Sequence, residues 1–325
     1  MHDARAGNKN QVDALAFAMC CVFDDLFKKK YIAETTQYVS LYNPSNRFTA
    51  AFKNKKLIAE QNQKRPDIAI GCGRKSAWSV AQMSMRNVFT IQILRPPCSI
   101  KKFNHVIIPQ HDLINGANVI KTIGALNKIN VSMLNNIKQK HAHFFANYPK
   151  PHIGVLIGGA TRHFKLDRDW LLSLLSSLEK TASKYNGSLF ICAAPRSQPQ
   201  LLQTILSYKD RHFVWTNGAN NPYLPILASA DCLIVSGESV NMLSEACATQ
   251  KPVWISIPKN HNPRSKLLRF HHVLVEQNIA NYVHDDIEIK AHDRPITPST
   301  DQIDDETTQV AQKLCQSYID YIAQK

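Results

Sequence analysis

The sequence predicts an α/β protein made of two doubly wound halves in tandem, facing each other across a cleft. Three observations carry this expectation. Short apolar runs of strand length alternate with segments of helical periodicity along the chain. Glycine turns sit at several of the junctions: Gly71-Cys72-Gly73, Gly158-Gly159 and Ser236-Gly237. The pattern then restarts after Asn147-Tyr148-Pro149-Lys150-Pro151, so 1–147 and 152–325 read as two domains. A chain of 325 residues gives each half room for its own core.

The clearest unit is Asp231 to Ile255. Cys232–Val235 is a short apolar run, as in a strand covered on both faces. Ser236-Gly237-Glu238-Ser239 breaks it, and from Val240 the spacing is helical, with Ser239 as N-cap. Lys251-Pro252 stops that helix, and Val253 opens the next strand. Such a turn can present backbone N–H groups and a helix dipole to a phosphate. A plain βαβ unit with a solvated glutamate is the alternative.

In the first half, a glycine turn at Gly7 leads into a helix capped by Asn8 or Asn10. Only Met1 and His2 precede it, so the first domain lacks its first strand, either lost or left out by a start assigned too late. Val39–Tyr42 is a further strand, followed by a turn at 43–46. Ile68–Ile70 is a strand, and Gly71 to Ser76 opens a helix over Ala77–Met85. Val88–Leu94 and Val106–Pro109 are strands. Gly116–Asn130 reads as a loop with a short helix, and Val131–Phe145 as a helix. The second half gives strands at Ile153–Ile157, Ser188–Cys192 and Phe213–Trp215. Its helices fall at Asp169–Tyr185, Gln200–Leu206, Pro222–Ser229 and Arg264–Gln277. An acidic, Pro-containing stretch, Asp285–Glu306, precedes a last helix ending at Ala323.

Charge separates the halves. Residues 1–150 carry 22 Lys and Arg against 8 Asp and Glu, while residues 151–325 carry 17 against 17. The whole +14 therefore lies on the first half, which should attract something anionic (lipid headgroups, phosphorylated glycolipid or nucleic acid), unless it is merely a solvated basic surface. Nucleic acid is not the expected partner. No apolar run approaches the ~18 residues of a membrane helix. The polar start is no signal peptide, and eight cysteines without CxxC spacing read as reduced core thiols. The expectation is a cytoplasmic protein, peripheral at most on the inner face of a membrane.

Two resemblances follow from motifs. Ser239-Val240-Asn241 with Glu245, then Gln250-Lys251-Pro252, is similar to the nucleotide-sugar half of glycosyltransferases with two Rossmann-like domains, the GT-B type. Gln250 stands where that pattern has glycine. Over nearly its full length the chain resembles the mitochondrial-fission ELM ("elongated mitochondria") family. The matching pieces include Gly71-x-Gly73-Arg74, Pro109-Gln110-His111-Asp112, Asn118 through Leu126, Ile157-Gly158-Gly159-x-x-Arg162, Asn221-Pro222-Tyr223 and Ser236 through Pro252. Gly7-Asn8 stands where the family has Gly-His. The resemblance implies a GT-B-like fold. It also implies a protein partner of dynamin type in the plant members.

A nucleoside-diphosphate sugar bound to such a protein would meet Gly158, Gly159, Arg162 and Arg196 at its phosphates, with backbone N–H groups from Gly237 to Ser239. Asn241 belongs to the same helix start, Glu245 would hold the ribose, and the backbone around Val214 and Trp215 would meet the base. Arg162 could instead pair with Asp167, and Asn221 could hold its own loop. Transfer to an acceptor needs a base, for which His111 and Asp112 are candidates; a turn cap with a packed histidine is the other reading. Neither metal nor organic cofactor is expected, since a helix dipole and arginine can neutralise a leaving diphosphate.

Overall fold

A computed structural model describes residues 1–2, 6–27, 66–159, 161, 164–194, 197–259, 261–284 and 306–324. The chain opens with α1 (Ala6–Phe27), then β1 (Ile68–Cys72), α2 (Ala77–Ser84), β2 (Phe89–Ile93), β3 (His105–Pro109) and β4 (Val119–Thr122). It continues through α3 (Val131–Lys140), β5 (His152–Ile157), α4 (Arg168–Lys184), β6 (Ser188–Ala193), α5 (Pro199–Leu206) and β7 (Phe213–Trp215). Next come α6 (Tyr223–Ser229), β8 (Cys232–Ser236), α7 (Val240–Cys247) and β9 (Val253–Ser256). Last are α8 (Lys266–Glu276), β10 (Asn281–Tyr282) and α9 (Glu306–Ala323). Val39–Tyr42, the turn at 43–46 and the acidic stretch at 285–305 lie outside the described residues.

Two compact units result: Met1–Lys128 with Glu306–Lys325, and Ile129–Asp305. The boundary falls before α3 instead of at the prolines, and the last helix joins the first unit. Side-chain spacing explains the return of α9. Its Val310, Ala311, Leu314 and Cys315 form one helical face, which packs with Val12, Leu15, Met19 and Phe23 of α1. The pair covers Phe89, Ile91, Ile93 and Ile107 of the sheet. α3 packs on α6 and so belongs to the second core. Proline-rich composition marks where the chain bends, not which core its neighbours enter.

In the first unit β1, β2, β3 and β4 lie side by side in that order, all parallel. Ile91, Ile93 and Ile107 face α1 and α9, while Ala69, Val106 and Ile108 face α2 through Val80. Burial on both faces gives the near-continuous apolar runs of a parallel sheet. β4 corrects the loop expected at Gly116–Asn130: Val119 to Thr122 pair with Val106 to Pro109. Four residues, three of them β-branched, are too short to stand out from a loop. α3 stops at Lys140, short of Phe145, and a 3-10 turn follows over Ala142–Phe144.

The start of the chain also differs from expectation. α1 begins at Ala6, so Gly7, Asn8 and Asn10 lie inside the helix and do not cap it. Met1 and His2 add a two-residue extension beside β1. The Met1 ammonium donates to Ile70 O at 2.6 Å, Cys72 N donates to Met1 O at 3.1 Å, and His2 bridges Cys72 in parallel sense.

The second unit's parallel sheet has the order β10, β9, β8, β5, β6, β7. The chain runs outward from β5 to β7, then returns to place β8 on the other side of β5. Strand order therefore reverses between β5 and β8, and in open α/β sheets ligands bind beyond the carboxyl ends at such a point. Ile153, Val155 and Ile157 of β5 centre the core beneath α4, with Leu171, Leu175 and Leu178.

Candidate functional site

The reversal point brings the turn after β5 against the turn after β8. Gly158 N donates to Ser236 Oγ at 2.8 Å, and that hydroxyl donates to Leu156 O at 3.2 Å. Ser197 Oγ donates to Gly158 O at 2.9 Å. Gly237 N donates to Ser256 O at 2.9 Å, and Gly237 O lies 2.7 Å from His271 Nε2. The amides of Gly158 and Gly237, expected to face phosphates, are thus committed within the protein. Both glycines are fixed by close approach. A Cβ on Gly237 would lie 2.8 Å from His271 Cε1, and one on Gly158 would lie 1.6 Å from Glu238 Oε1. Glu238, only 4% exposed, fills the space above Gly158, which the sequence alone did not disclose. Gly159 follows Gly158 as a buried residue.

Ser239 has the extended backbone of an N-cap, and its Oγ accepts from Met242 N at 3.4 Å, as its position before the helical spacing suggested. Asn241 lies in the first turn of α7, partly buried. Glu245 is on the second turn. Tyr223 Oη donates to its Oε2 at 2.5 Å. Burial raises the Glu245 carboxyl above the usual carboxylate range, and the bond from Tyr223 opposes that rise. Burial raises the Tyr223 phenol too, with the Glu245 charge adding to the effect.

Tyr223 opens α6, where Asn221 fixes its backbone: Asn221 Oδ1 accepts from Tyr223 N at 2.9 Å. Asn221 therefore does hold its own loop. Cys192 Sγ approaches the same oxygen at 3.9 Å. Across the β6–β7 pairing Cys192 faces Trp215, whose indole N–H is sealed from solvent without a hydrogen-bond partner. Cys192, Trp215, Asn221, Tyr223 and Glu245 thus form one connected group at the carboxyl end of this sheet. Sequence reading chose Glu245 and Trp215 but missed Tyr223 as the carboxylate's partner. Its signal was the phenol directly after Asn221-Pro222.

Arg162 and Arg196 lie outside the described residues. Asp167 is the N-cap of α4, with Oδ1 accepting from Trp170 N at 2.9 Å. In the first unit, His111 is 5% exposed and Asp112 follows it beyond β3, in a turn where Asp112 N donates to Pro109 O. The glycine turn after β1 is satisfied internally. Ser76 Oγ donates to Cys72 O and Gly73 O, and Gln92 Nε2 donates to Gly73 O and Ile93 O. Arg74 and Lys75 beside it are exposed. Among the described residues no group of three or more His, Cys, Asp or Glu is arranged to hold a metal ion. No described helix is long and apolar enough to cross a membrane.

Two parallel α/β units of this kind make a GT-B-like fold, the fold also seen in structures of glycosyltransferases and epimerases. The UDP-GlcNAc 2-epimerase of Methanocaldococcus jannaschii superposes with a TM-score of 0.57 at 11% identity, covering 97% of this chain and 98% of its own. The same enzyme in complex with UDP-GlcNAc and UDP gives 0.53 at 10% identity, with the same coverage. At those identities the likeness is one of fold. The chain belongs to the family described as Mitochondrial fission ELM1, whose pattern matches residues 6–318. It is 28% identical over 219 residues to the mitochondrial fission protein ELM1 of Arabidopsis thaliana, a match covering 58% of this chain and 51% of the plant protein. The chain thus spans about half the length of that relative. Identity to the uncharacterized protein RP120 of Rickettsia prowazekii is 26% over 330 aligned positions, covering 88% of this chain and 90% of that one.

Proposed function

We propose that the second unit binds a nucleoside diphosphate, carried as a nucleotide-sugar, beyond the carboxyl ends of β5 to β8. The observation that carries this reading is Glu245. A half-buried carboxylate on the helix leaving the reversal point, held in place by a phenol, suits the hydroxyls of a ribose. The backbone around Val214 and Trp215, at the end of β7 where these residues pair with Ile191 and Cys192, is the part assigned to the base. The M. jannaschii fold neighbour is a UDP-GlcNAc-binding enzyme, which supports the choice of ligand class. Arg162 and Arg196 are the cations assigned to the diphosphate. In a transfer step His111 or Asp112 would accept the proton of an acceptor hydroxyl as the sugar–phosphate bond breaks and the diphosphate leaves.

Thermal-shift and calorimetric titration of the full chain with UDP, ADP, GDP and CDP and their sugars tests the reading. A ligand at a hundred times its Kd stabilises the native state by about 2.7 kcal/mol. Wild type should respond to at least one nucleotide and Glu245→Ala to none. Silence across the panel would sink the proposal. A second reading is a docking protein without catalysis, and the exposed cations Arg74, Lys75, Arg95, Lys101 and Lys102 of the first unit favour it.

A further inference from the structure

We propose that Tyr223 is the second half of the subsite that Glu245 begins: the two side chains act as one acceptor pair for two neighbouring hydroxyls of the ligand. This rests on the nucleotide reading above. A phenol has a single proton. Tyr223 gives that proton to Glu245 Oε2 at 2.5 Å, which leaves its oxygen only lone pairs for any further bond. The other oxygen, Glu245 Oε1, takes no bond from the described residues and is not sealed from solvent. An ionised carboxylate likewise only accepts. The pair therefore offers two acceptors side by side and no donor. The group that satisfies it is a pair of donors on adjacent carbons, a vicinal diol, and a ribose carries one. A lone hydroxyl would leave one buried acceptor without the water it had, which is the costly outcome.

The surroundings hold the phenol for this purpose. Asn221 Oδ1 accepts from Tyr223 N and fixes the first residue of α6, while buried Cys192 packs behind it. Tyr223 thus reaches Glu245 from a different helix, across the site. The carboxylate then has one oxygen aimed and the other free, where a solvated glutamate would sample several rotamers. The competing account is that the bond only staples α6 to α7. A staple predicts a loss of stability and an equal loss of affinity for every ligand. An acceptor pair predicts a loss that depends on the hydroxyls.

The experiment is calorimetric titration of the full chain with the tightest of UDP, ADP, GDP and CDP, and with its 2′-deoxy and 3′-deoxy forms. Wild type should prefer the ribonucleotide over either deoxy form by about tenfold or more, the worth of one hydrogen bond to such a group. Tyr223→Phe should lose about tenfold for the ribonucleotide and little for the deoxy form whose missing hydroxyl met the phenol, so that preference collapses. Glu245→Gln, which keeps the side-chain shape, should weaken discrimination at the other hydroxyl; it serves if Tyr223→Phe folds poorly. Equal losses for all three ligands, or an unchanged ribonucleotide affinity in Tyr223→Phe, overturn the pair while leaving nucleotide binding in place. If wild type binds no nucleotide, the nucleotide reading itself falls and the acceptor pair with it.

Discussion

Glu238 closes over Gly158 at the strand-order reversal: a carboxylate oxygen of the first lies 1.6 Å from where a Cβ on the second would be. A side chain at 158 would therefore have to displace the Glu238 carboxylate, with no demand for an unusual backbone angle. Gly158→Ala should cost about 1–3 kcal/mol, the usual range for overfilling a packed site. Glu238→Ala in the same chain should return part of that loss. Urea unfolding of the two single variants and the double variant checks this. Additive losses would mean that the close contact is not the cause.

Gln250 has φ +59°, in the left-handed region, at the end of α7. The GT-B pattern has glycine at this position, and the backbone supplies the reason. A side chain there costs roughly 1–2 kcal/mol, and glycine adopts the angle freely. Gln250→Gly should raise stability by about 0.5–1 kcal/mol once the greater freedom of the unfolded chain is subtracted. A lower melting temperature than wild type would refute this.

Stability should depend on pH in two stages above neutrality. Burial pulls the Lys251 amine down from 10.5 to about 8, with Lys138 adding to the effect and Asp231 and Cys232 opposing it. Its Nζ donates to Leu227 O at 2.7 Å, near the end of α6. The folded state thus holds the neutral amine more readily than the unfolded state does, so this group adds stability as pH rises from about 8 towards 10.5. Burial also pushes the Cys192, Cys232, Cys247 and Cys315 thiols up to about 12. Their contribution is present below pH 9 and lost as pH climbs towards 12. Between pH 8 and 9 the lysine's gain of roughly 1 kcal/mol offsets most of the loss that the thiols begin to cause, and above pH 9 the fall is steep. Lys251→Met should remove that offset, so that stability falls more sharply already between pH 8 and 9.

The last helix is anchored at its first residue. Glu306 Oε1 accepts from Ile123 N at 2.6 Å and Oε2 from Gly124 N at 3.4 Å. Thr307 Oγ1 donates to Asn127 O at 2.9 Å and accepts from Asn127 N at 3.2 Å. Glu306→Ala leaves two amides without their acceptor and should cost about 1–3 kcal/mol. Amide hydrogen exchange should then quicken along α9 before other parts of the first unit. Uniform quickening across the unit would show that α9 has no separate anchor.

If the basic half docks on anionic lipid, reversing charge at Arg74, Lys75, Lys101 and Lys102 should weaken co-sedimentation with vesicles containing acidic lipid. Each cation near the surface contributes about 1 kcal/mol. Wild-type binding should also fade between 0.1 M and 1 M salt, as the screening length falls from ~10 Å to ~3 Å. Binding indifferent to both changes would make the charge asymmetry incidental.

The sequence by itself determined the alternation of parallel strands and helices. Apolar runs such as Ile153–Ile157 and Cys232–Val235 report burial on both sheet faces, a property each segment carries alone. It likewise placed the N-cap at Ser239, because caps follow from spacing within a few residues. Tertiary structure alone decided the contacts between segments distant in the chain. α9 returned to the first unit because its apolar face fits that of α1, and composition holds no record of which partner a face will find. Four-residue β4 exists by pairing with β3. Tyr223 meets Glu245, 22 residues on, because two helices from different crossovers end side by side, and Glu238 closes over Gly158 because β8 returned beside β5. Such contacts arise only when the whole sheet is assembled, since each depends on strand order and no single segment specifies it.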